Sequence, residues 1–507
     1  MIKNTLFIFF TRVVKLLIGF ASISVSAKYF GISNEKDNWL IAISLITLID
    51  ATIWGALNEM FRTKFIFIRE EFGEAGAVMK IKSLIFYMVI ISSLIALVYF
   101  FLKDSIILLF DFKYSLQEFQ NLKLLIIWSI PFLVINQLSA IGSSILNAYN
   151  VFIIPEMAGI ASAIINLVVL LFFAPIIGIK ALVISYYISA ILLLFAIYLY
   201  LYWKIKINFF RGYRNFKLSD FNLFYLSALP LFFNYLLGQF SNLYEKYMAI
   251  SLGVGYLSIL DYSRKFSDIF QSVLTGVLMT ILVPVLSRNY IEKKAIEFTD
   301  NFMNIYKISQ IGITFIISIF VSSSHLIVNL FYDKGSIDNL SLLKISELMI
   351  IYGWSILGVF NYMIFGLALL SMGAPKKFAL AGIVTQITSL LIIVWFLPLV
   401  GISIFPAVLG TVHFISSVFF ISYFPFKRIE VINIIIKYLF FLFLVCFLTE
   451  YFSKLLNANA FSSFWLIVIN SMISAINILF SGMVLRLFDF KNFRIKIITL
   501  KNAILFK

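Results

Sequence analysis

Charge, histidine and cysteine are all scarce in this 507-residue chain, and each scarcity removes a class of function. Charged residues make up 13%, about half the share found in an average soluble domain. At 62% hydrophobic the chain cannot cover a water-facing surface, which excludes a soluble enzyme and a disordered chain. The one cysteine, Cys446, lies inside an apolar run, so an intrachain disulfide and a disulfide-stapled scaffold are excluded. The two histidines, His325 and His413, stand alone in separate apolar stretches and read as helix-contact residues. The sequence has no phosphate-binding loop, no Cys/His set at metal-ligand spacing and no Ser-His-Asp arrangement. It therefore carries no catalytic constellation, no metal site and no cofactor motif. The first apolar stretch holds Arg12 and Lys15 and runs on without a small-residue cleavage site, so no cleavable signal peptide is expected.

What the chain does have is long apolar runs, with a mean hydropathy of +1.02. These are continuous, unlike the short alternations of a barrel, so helices are expected. A spanning helix needs about 20 apolar residues. The runs divide into about fourteen spans, among them span 1 at 5–27, span 2 at 38–58, span 7 at 222–245 and span 8 at 256–287. With the N-terminus in the cytoplasm, cytoplasmic segments hold 26 basic residues and the opposite segments 10. That bias places both termini inside. The formal charge of +16 is then read as loops facing anionic lipid, not as a nucleic-acid surface.

The chain also repeats itself faintly. Ala158-Gly159-Ile160 recurs as Ala381-Gly382-Ile383, and Pro175-Ile176-Ile177-Gly178-Ile179 recurs as Pro398-Leu399-Val400-Gly401-Ile402, both at a shift of 223. Phe30-Gly31-Ile32 corresponds to Leu252-Gly253-Val254 at 222. A shift of this size maps span 1 onto span 7, so both copies enter the membrane from the same side. The expected architecture is an all-α polytopic membrane protein. Two pseudo-twofold six-helix bundles, 1–203 and 222–424, are joined by a basic cytoplasmic linker, 204–221. Two added helices (433–485) and a basic cytoplasmic tail (486–507) follow. A cleft between two such halves suits alternating access.

Polar stripes mark where that cleft is lined. Span 1 carries Arg12, Lys15, Gly19, Ser22 and Ser26 at helical spacing, and span 2 carries Thr47, Asp50, Trp54 and Asn58. Span 7 carries Asn234, Gly238, Ser241 and Glu245, and span 8 carries Asp261, Arg264, Lys265, Asp268 and Ser272. Charges at membrane depth are costly, so these faces look into protein or a water-filled cavity. Asp261 with Lys265 and Arg264 with Asp268 are i,i+4 pairs that a single helix can satisfy. Arg12 and Lys15 have no acidic partner on their own helix, and Asp50 is a candidate partner for either. Arg12, Lys15, Arg264 and Lys265 together imply an anionic substrate, with phosphate the obvious group.

The order and spacing of several short elements resemble the MurJ (MviN) lipid II flippases. More widely they resemble the MOP superfamily, with its Wzx-type oligosaccharide flippases and MATE exporters. Tyr29-Phe30-Gly31-Ile32-Ser33 with Asp37 is similar to the family's element between spans 1 and 2. Leu146-Asn147-Ala148-Tyr149-Asn150 through Ile154-Pro155 is similar to the stretch between spans 4 and 5. Asp261 to Phe266, Ile281 to Ser287 and Leu330 to Gly335 resemble its span 8 and the turn after span 9.

The resemblance implies an undecaprenyl-pyrophosphate-linked glycan moved from the inner to the outer leaflet of a bacterial cytoplasmic membrane. It implies a basic cavity for the pyrophosphate and a groove at spans 13 and 14 for the lipid tail. The glycan is lipid II or a related lipid-linked unit of O-antigen or capsule. By position, Lys265 falls on the family's span 8 arginine, Asp268 on an acidic position and Asp37 on the span 1–2 aspartate. The chain departs from the pattern at Leu16, where the family has an arginine, at Ser22-Ile23, where it has an arginine–acid pair, and at Asp50, where it has an arginine. Coupling to membrane potential or to a cation, and partners among the phospholipids and glycan-synthesis enzymes, accompany this reading. A MATE-like small-molecule exporter and a non-transporting scaffold of a glycan-synthesis complex are the alternatives.

Overall fold

A computed structural model describes residues 2–108, 116–149, 151–209, 215–333, 337–424, 428–456 and 462–487. Asn150, Lys334, Gly335 and the tail from residue 488, all used above, lie outside the described residues, as does the side chain of Arg12. The chain is all-α. Its helices are α1 (Ile2–Phe30), α2 (Asn34–Leu108), α3 (Leu116–Ser129), α4 (Phe132–Ala148), α5 (Ile153–Ile177), α6 (Lys180–Trp203) and α7 (Leu218–Ser251). There follow α8 (Tyr256–Ile291), α9 (Ala295–Tyr332), α10 (Asn339–Ser371), α11 (Pro375–Val400), α12 (Ile404–Phe420), α13 (Arg428–Leu455) and α14 (Ser463–Val484).

Eleven helical stretches among the described residues are long and apolar enough to cross a membrane, or up to twelve if the bent α7 counts as one span. The sequence predicts fourteen shorter spans; α8 is not among the counted stretches, and the runs at 378–399 and 402–424 fall within one of them. Residues 59–82, read as a cytoplasmic segment, continue the helix of α2, which bends only at Gly73 (φ 70°, ψ 175°). That backbone is one a glycine adopts freely. Pro375–Tyr423 forms one apolar stretch because a single 3-10 turn, Gly401–Ser403, joins α11 to α12. In α7 the segments Leu218–Leu229 and Leu231–Ser251 meet at 67°, across Pro230, as expected where a proline removes a backbone donor.

Sequence punctuation sets several ends. Pro131 separates α3 from α4, and Pro375 opens α11, where its missing N–H costs nothing. The Asp338 carboxylate accepts the Ser341 N–H at 3.2 Å and caps α10. Two glycines at the sequence shift of 223 share a backbone conformation. Gly178 ends α5 at φ 60°, ψ −140°, and Gly401 ends α11 at φ 66°, ψ −150°.

Two apolar cores hold the helices. The larger runs from the end of α1 and the start of α2 through α8, α9, α10 and α12, and so joins early and late parts of the chain. The second gathers Trp54, Phe61 and Phe65 of α2 with Ile145 of α4, Ile197 of α6 and Phe224 of α7. Large apolar side chains also point outward, Phe172 at 70% exposed and Trp395 at 76%, as a lipid-facing surface requires. Helix α13 packs on α9 through Tyr438, Phe441 and Val445, and α14 seats on it through small polar contacts. Ser318 pairs with Ser474, and the Asn470 amide donates to Ser323 at 2.9 Å, the kind of bond that holds helices together where no water competes.

Candidate functional site

Two adjoining cavities, of about 220 and 810 Å³, lie between α2, α7, α8, α10 and α12. Gln239, Asn242, Glu245 and Arg264 line both. Helix α8 supplies Asp261, Arg264, Lys265 and Asp268 on one face, as 3.6-residue periodicity places them. The pairs read from the sequence are formed, Lys265 to Asp261 at 3.0 Å and Arg264 to Asp268 at 3.1 Å. Helix α7 adds Glu245, 3.6 Å from Arg264.

Two further cations, read from the sequence as belonging to outer segments, reach this site. Lys36 is buried, with its ammonium 3.8 Å from Asp261 and over the ring of Tyr262. Lys246 donates to the Ser44 hydroxyl of α2. Glu59 and Arg62 of α2 line the larger cavity, with Tyr235 donating to Glu59 at 2.7 Å. The sequence reading missed all four. Their signal was present only as charges at span ends next to residues already singled out. The lining is thus not simply basic. Arg62, Lys246, Arg264 and Lys265 face Glu59, Glu245, Asp261 and Asp268.

The other expected residues fall in three places. Lys15 meets Glu156 of α5 at 2.8 Å in a separate cavity shared with Ile269 and Ser272 of α8. Gly159 makes that approach possible, since a Cβ there would lie 2.5 Å from the Lys15 ammonium. Asn234 lines the larger cavity against Gly382 of α11, where a Cβ would lie 2.2 Å from the amide oxygen. Gly159 and Gly382 are the glycines of the two repeated Ala-Gly-Ile triplets. Ser22 donates to Ile18 O of its own helix at 3.0 Å. Asp50 accepts from Gln137 of α4 at 2.6 Å, and Lys15 pairs with Glu156 instead.

Asp37 lies outside the cavities and does something the sequence did not show. Its carboxylate accepts the backbone N–H of Gly255 at 2.8 Å and of Ser258 at 2.9 Å, and the Ser258 hydroxyl as well. It therefore caps the N-terminus of α8 from the start of α2. Around this cap, Ile32 presses on Gly255 (φ 85°), and Tyr262 donates to Gly31 O at 3.1 Å. Ser24 also donates to Phe331 O at 2.7 Å. The α1–α2 turn is thereby fastened to the α7–α8 turn, beside Leu40 and Leu257 of the smaller cavity. Among the described residues no group of His, Cys, Asp and Glu forms a metal cluster.

An all-helical membrane chain whose ion pairs line a cavity between its helices is built as a transporter. The particular kind follows from comparison. A family model described as the lipid II flippase MurJ matches residues 26–469, and the chain belongs to that family, within the MOP superfamily. It is accordingly a lipid-linked glycan flippase of the inner membrane and not an enzyme. Among solved structures, the chain is similar to the lipid II flippase MurJ in an inward closed conformation, at 19% identity and a TM-score of 0.76 over 94% of this chain and 98% of that one. It is also similar to an inward-facing multidrug resistance MATE transporter of the MOP superfamily, at 12% identity and 0.67 over 80% and 96%. The Vibrio cholerae MATE transporter VcmN in its bent form follows at 14% identity and 0.58 over 82% and 94%. No curated protein matches the chain.

Proposed function

We propose that this flippase carries an undecaprenyl-pyrophosphate-linked glycan from the inner to the outer leaflet by alternating access. The observation that carries the proposal is the charged cavity between α2, α7 and α8, beside the Asp37 contact that ties α2 to α8. The two moving units are residues 1–203 and 222–424, joined by 204–221, with the helices at 433–485 added and both termini, including the tail 486–507, in the cytoplasm. Fourteen crossings result when α2 supplies two, α3 and α4 together one, and every other helix one. The matched Gly178 and Gly401 turns support the repeat. The basic residues of 59–82 and 288–307 support the orientation. In that orientation the cap faces outward and the larger cavity is loaded from the inside.

Arg264 and Lys265, with Lys15 and Arg12 on the neighbouring helix, are the residues proposed to meet pyrophosphate. Lys15, Arg264 and Lys265 are pre-oriented by their carboxylate partners Glu156, Glu245, Asp268 and Asp261. Exchanging a carboxylate for a phosphate keeps every cation paired. Substrate entry therefore frees Glu245 and Asp268, which must then gain a proton or a cation. That exchange is the proposed origin of cation coupling. Membrane potential adds about 2.3 kcal/mol per charge per 100 mV. Glycan-synthesis enzymes that supply the substrate are the proposed protein partners.

The test is complementation. Expression in a bacterium whose own lipid II flippase is switched off is expected to restore growth and outer-leaflet lipid II. Neutralising Arg12 and Lys15 together is expected to abolish rescue with membrane insertion unchanged. Full rescue by that stably inserted double variant would remove both residues from the substrate path.

A further inference from the structure

A cavity of about 780 Å³ lies at the opposite end of α8 from the Asp37 cap, and it shares no lining residue with the charged site. Its floor is Phe298 of α9 with Met372, Tyr423 and Phe424, from the ends of α10 and α12. Tyr290 and Ile291 stand at its rim, 49% and 77% exposed, and Ile296 beyond them is 80% exposed.

Three features bring anion chemistry to this apolar hollow. Asn289 lines it at 7% exposed, and its amide nitrogen has no hydrogen-bond partner. An unmet donor buried that deeply is unfavourable unless a ligand supplies its acceptor. Second, α9 begins here at Ala295 and no side chain caps its first turn, so its N–H groups and dipole point at the hollow's mouth. Third, Lys293 and Lys294 line the hollow, Lys293 in the left-handed region at φ 57°.

The nearby acids are already engaged. Glu292 accepts from Arg288 at 2.7 Å and Lys294 at 2.9 Å, and these bonds hold its carboxyl down to about 2. Glu297 reaches Lys294 at 3.8 Å. Lys293 has no ion pair among the described residues.

We propose that this hollow binds the phosphodiester headgroup of an anionic phospholipid. The Asn289 amide, the α9 N-terminus and Lys293 would face the phosphate, and one acyl chain would lie along Tyr290, Ile291 and Phe298. The apolar rim at a helix turn and the cationic mouth together match that amphiphile better than a free anion. Basic pockets between helices at a membrane's cytoplasmic face commonly receive such headgroups. The inference goes beyond the flippase reading, since it concerns a second, resident lipid and not the cargo.

The test uses the purified full chain in mild detergent, titrated with dioleoyl phosphatidylglycerol or dioleoyl phosphatidylcholine and read by native mass spectrometry. Phosphatidylglycerol is expected to be retained preferentially. K293Q with K294Q is expected to weaken it by about fivefold for each charge removed, and N289A to weaken it further. K204Q with K206Q, in a basic segment elsewhere, is expected to change nothing. Equal retention of the two lipids, or an unchanged K293Q/K294Q variant, would overturn the site. Displacement by millimolar inorganic phosphate would overturn the lipid assignment and leave a free-anion site in its place. On the unaltered chain, amides 289–298 are expected to exchange more slowly in nanodiscs containing phosphatidylglycerol than in phosphatidylcholine alone, and equal rates would contradict the proposal. Binding is read without translocation, so its failure is separable from failure of the flippase reading.

Discussion

Arg264 sits where both parts of the charged cavity meet, held by Asp268 of its own helix and Glu245 of α7. The intrahelical pairs of α8 were legible in the sequence because an i,i+4 spacing fixes its partner. Glu245 was legible as one stripe residue but its partner was not, because that depends on how α7 meets α8. Asp37 was legible as a matched position and nothing more. Its acceptor role needs N–H groups 218 and 221 positions away, and no local pattern reports them.

Replacing Asp37 with Ala removes a capping carboxylate, a loss of about 1–2 kcal/mol, and leaves buried donors unmet. The closed state is therefore expected to lose population by roughly five- to thirtyfold. Spin labels at Lys28 and Leu252, in a background with Cys446 replaced by Ala, are expected to show a larger long-distance population in D37A. An unchanged distance distribution would contradict the role of the cap.

At the scale of helices, the apolar runs gave existence and approximate position, since continuous hydrophobicity is a strong signal. Joints were less legible. Residues 59–82 read as a loop because they are charged, yet Asn34–Leu108 continues as helix with one bend at Gly73. Charge reports exposure to water, not loss of helix. Helix–helix approach is set by positions the sequence does not flag. A Cβ on Gly358 of α10 would lie 1.9 Å from the Gly410 carbonyl oxygen of α12. The backbones meet there directly, as small residues allow within a membrane. G358A is expected to lower stability by about 1–3 kcal/mol, seen as a lower unfolding temperature in detergent. G312A, with nothing within 4 Å of the added carbon, is expected to leave it unchanged. Equal behaviour of the two would show that α10 and α12 are not in backbone contact.

Across the whole molecule, the glycines that suggest a repeat serve backbone geometry. Gly178 and Gly401 end equivalent helices in nearly the same conformation, and Gly159 and Gly382 each admit a polar side chain from a facing helix. What the sequence overstated was the basic character of the cavity, because the carboxylates that balance it come from other helices. That balance implies that charge moves by exchange of partners, so transport should depend on the cations of α8 even though they are paired at rest.

The most direct measurement is translocation of fluorescent lipid II in vesicles containing the purified chain, followed by accessibility of the label from one face. Flux well above protein-free vesicles is expected, and R264Q with K265Q is expected to reduce it to the protein-free rate while the variant remains monodisperse and inserted. Absence of flux with the native chain, or undiminished flux with the double variant, would contradict a pyrophosphate-linked cargo carried through this cavity.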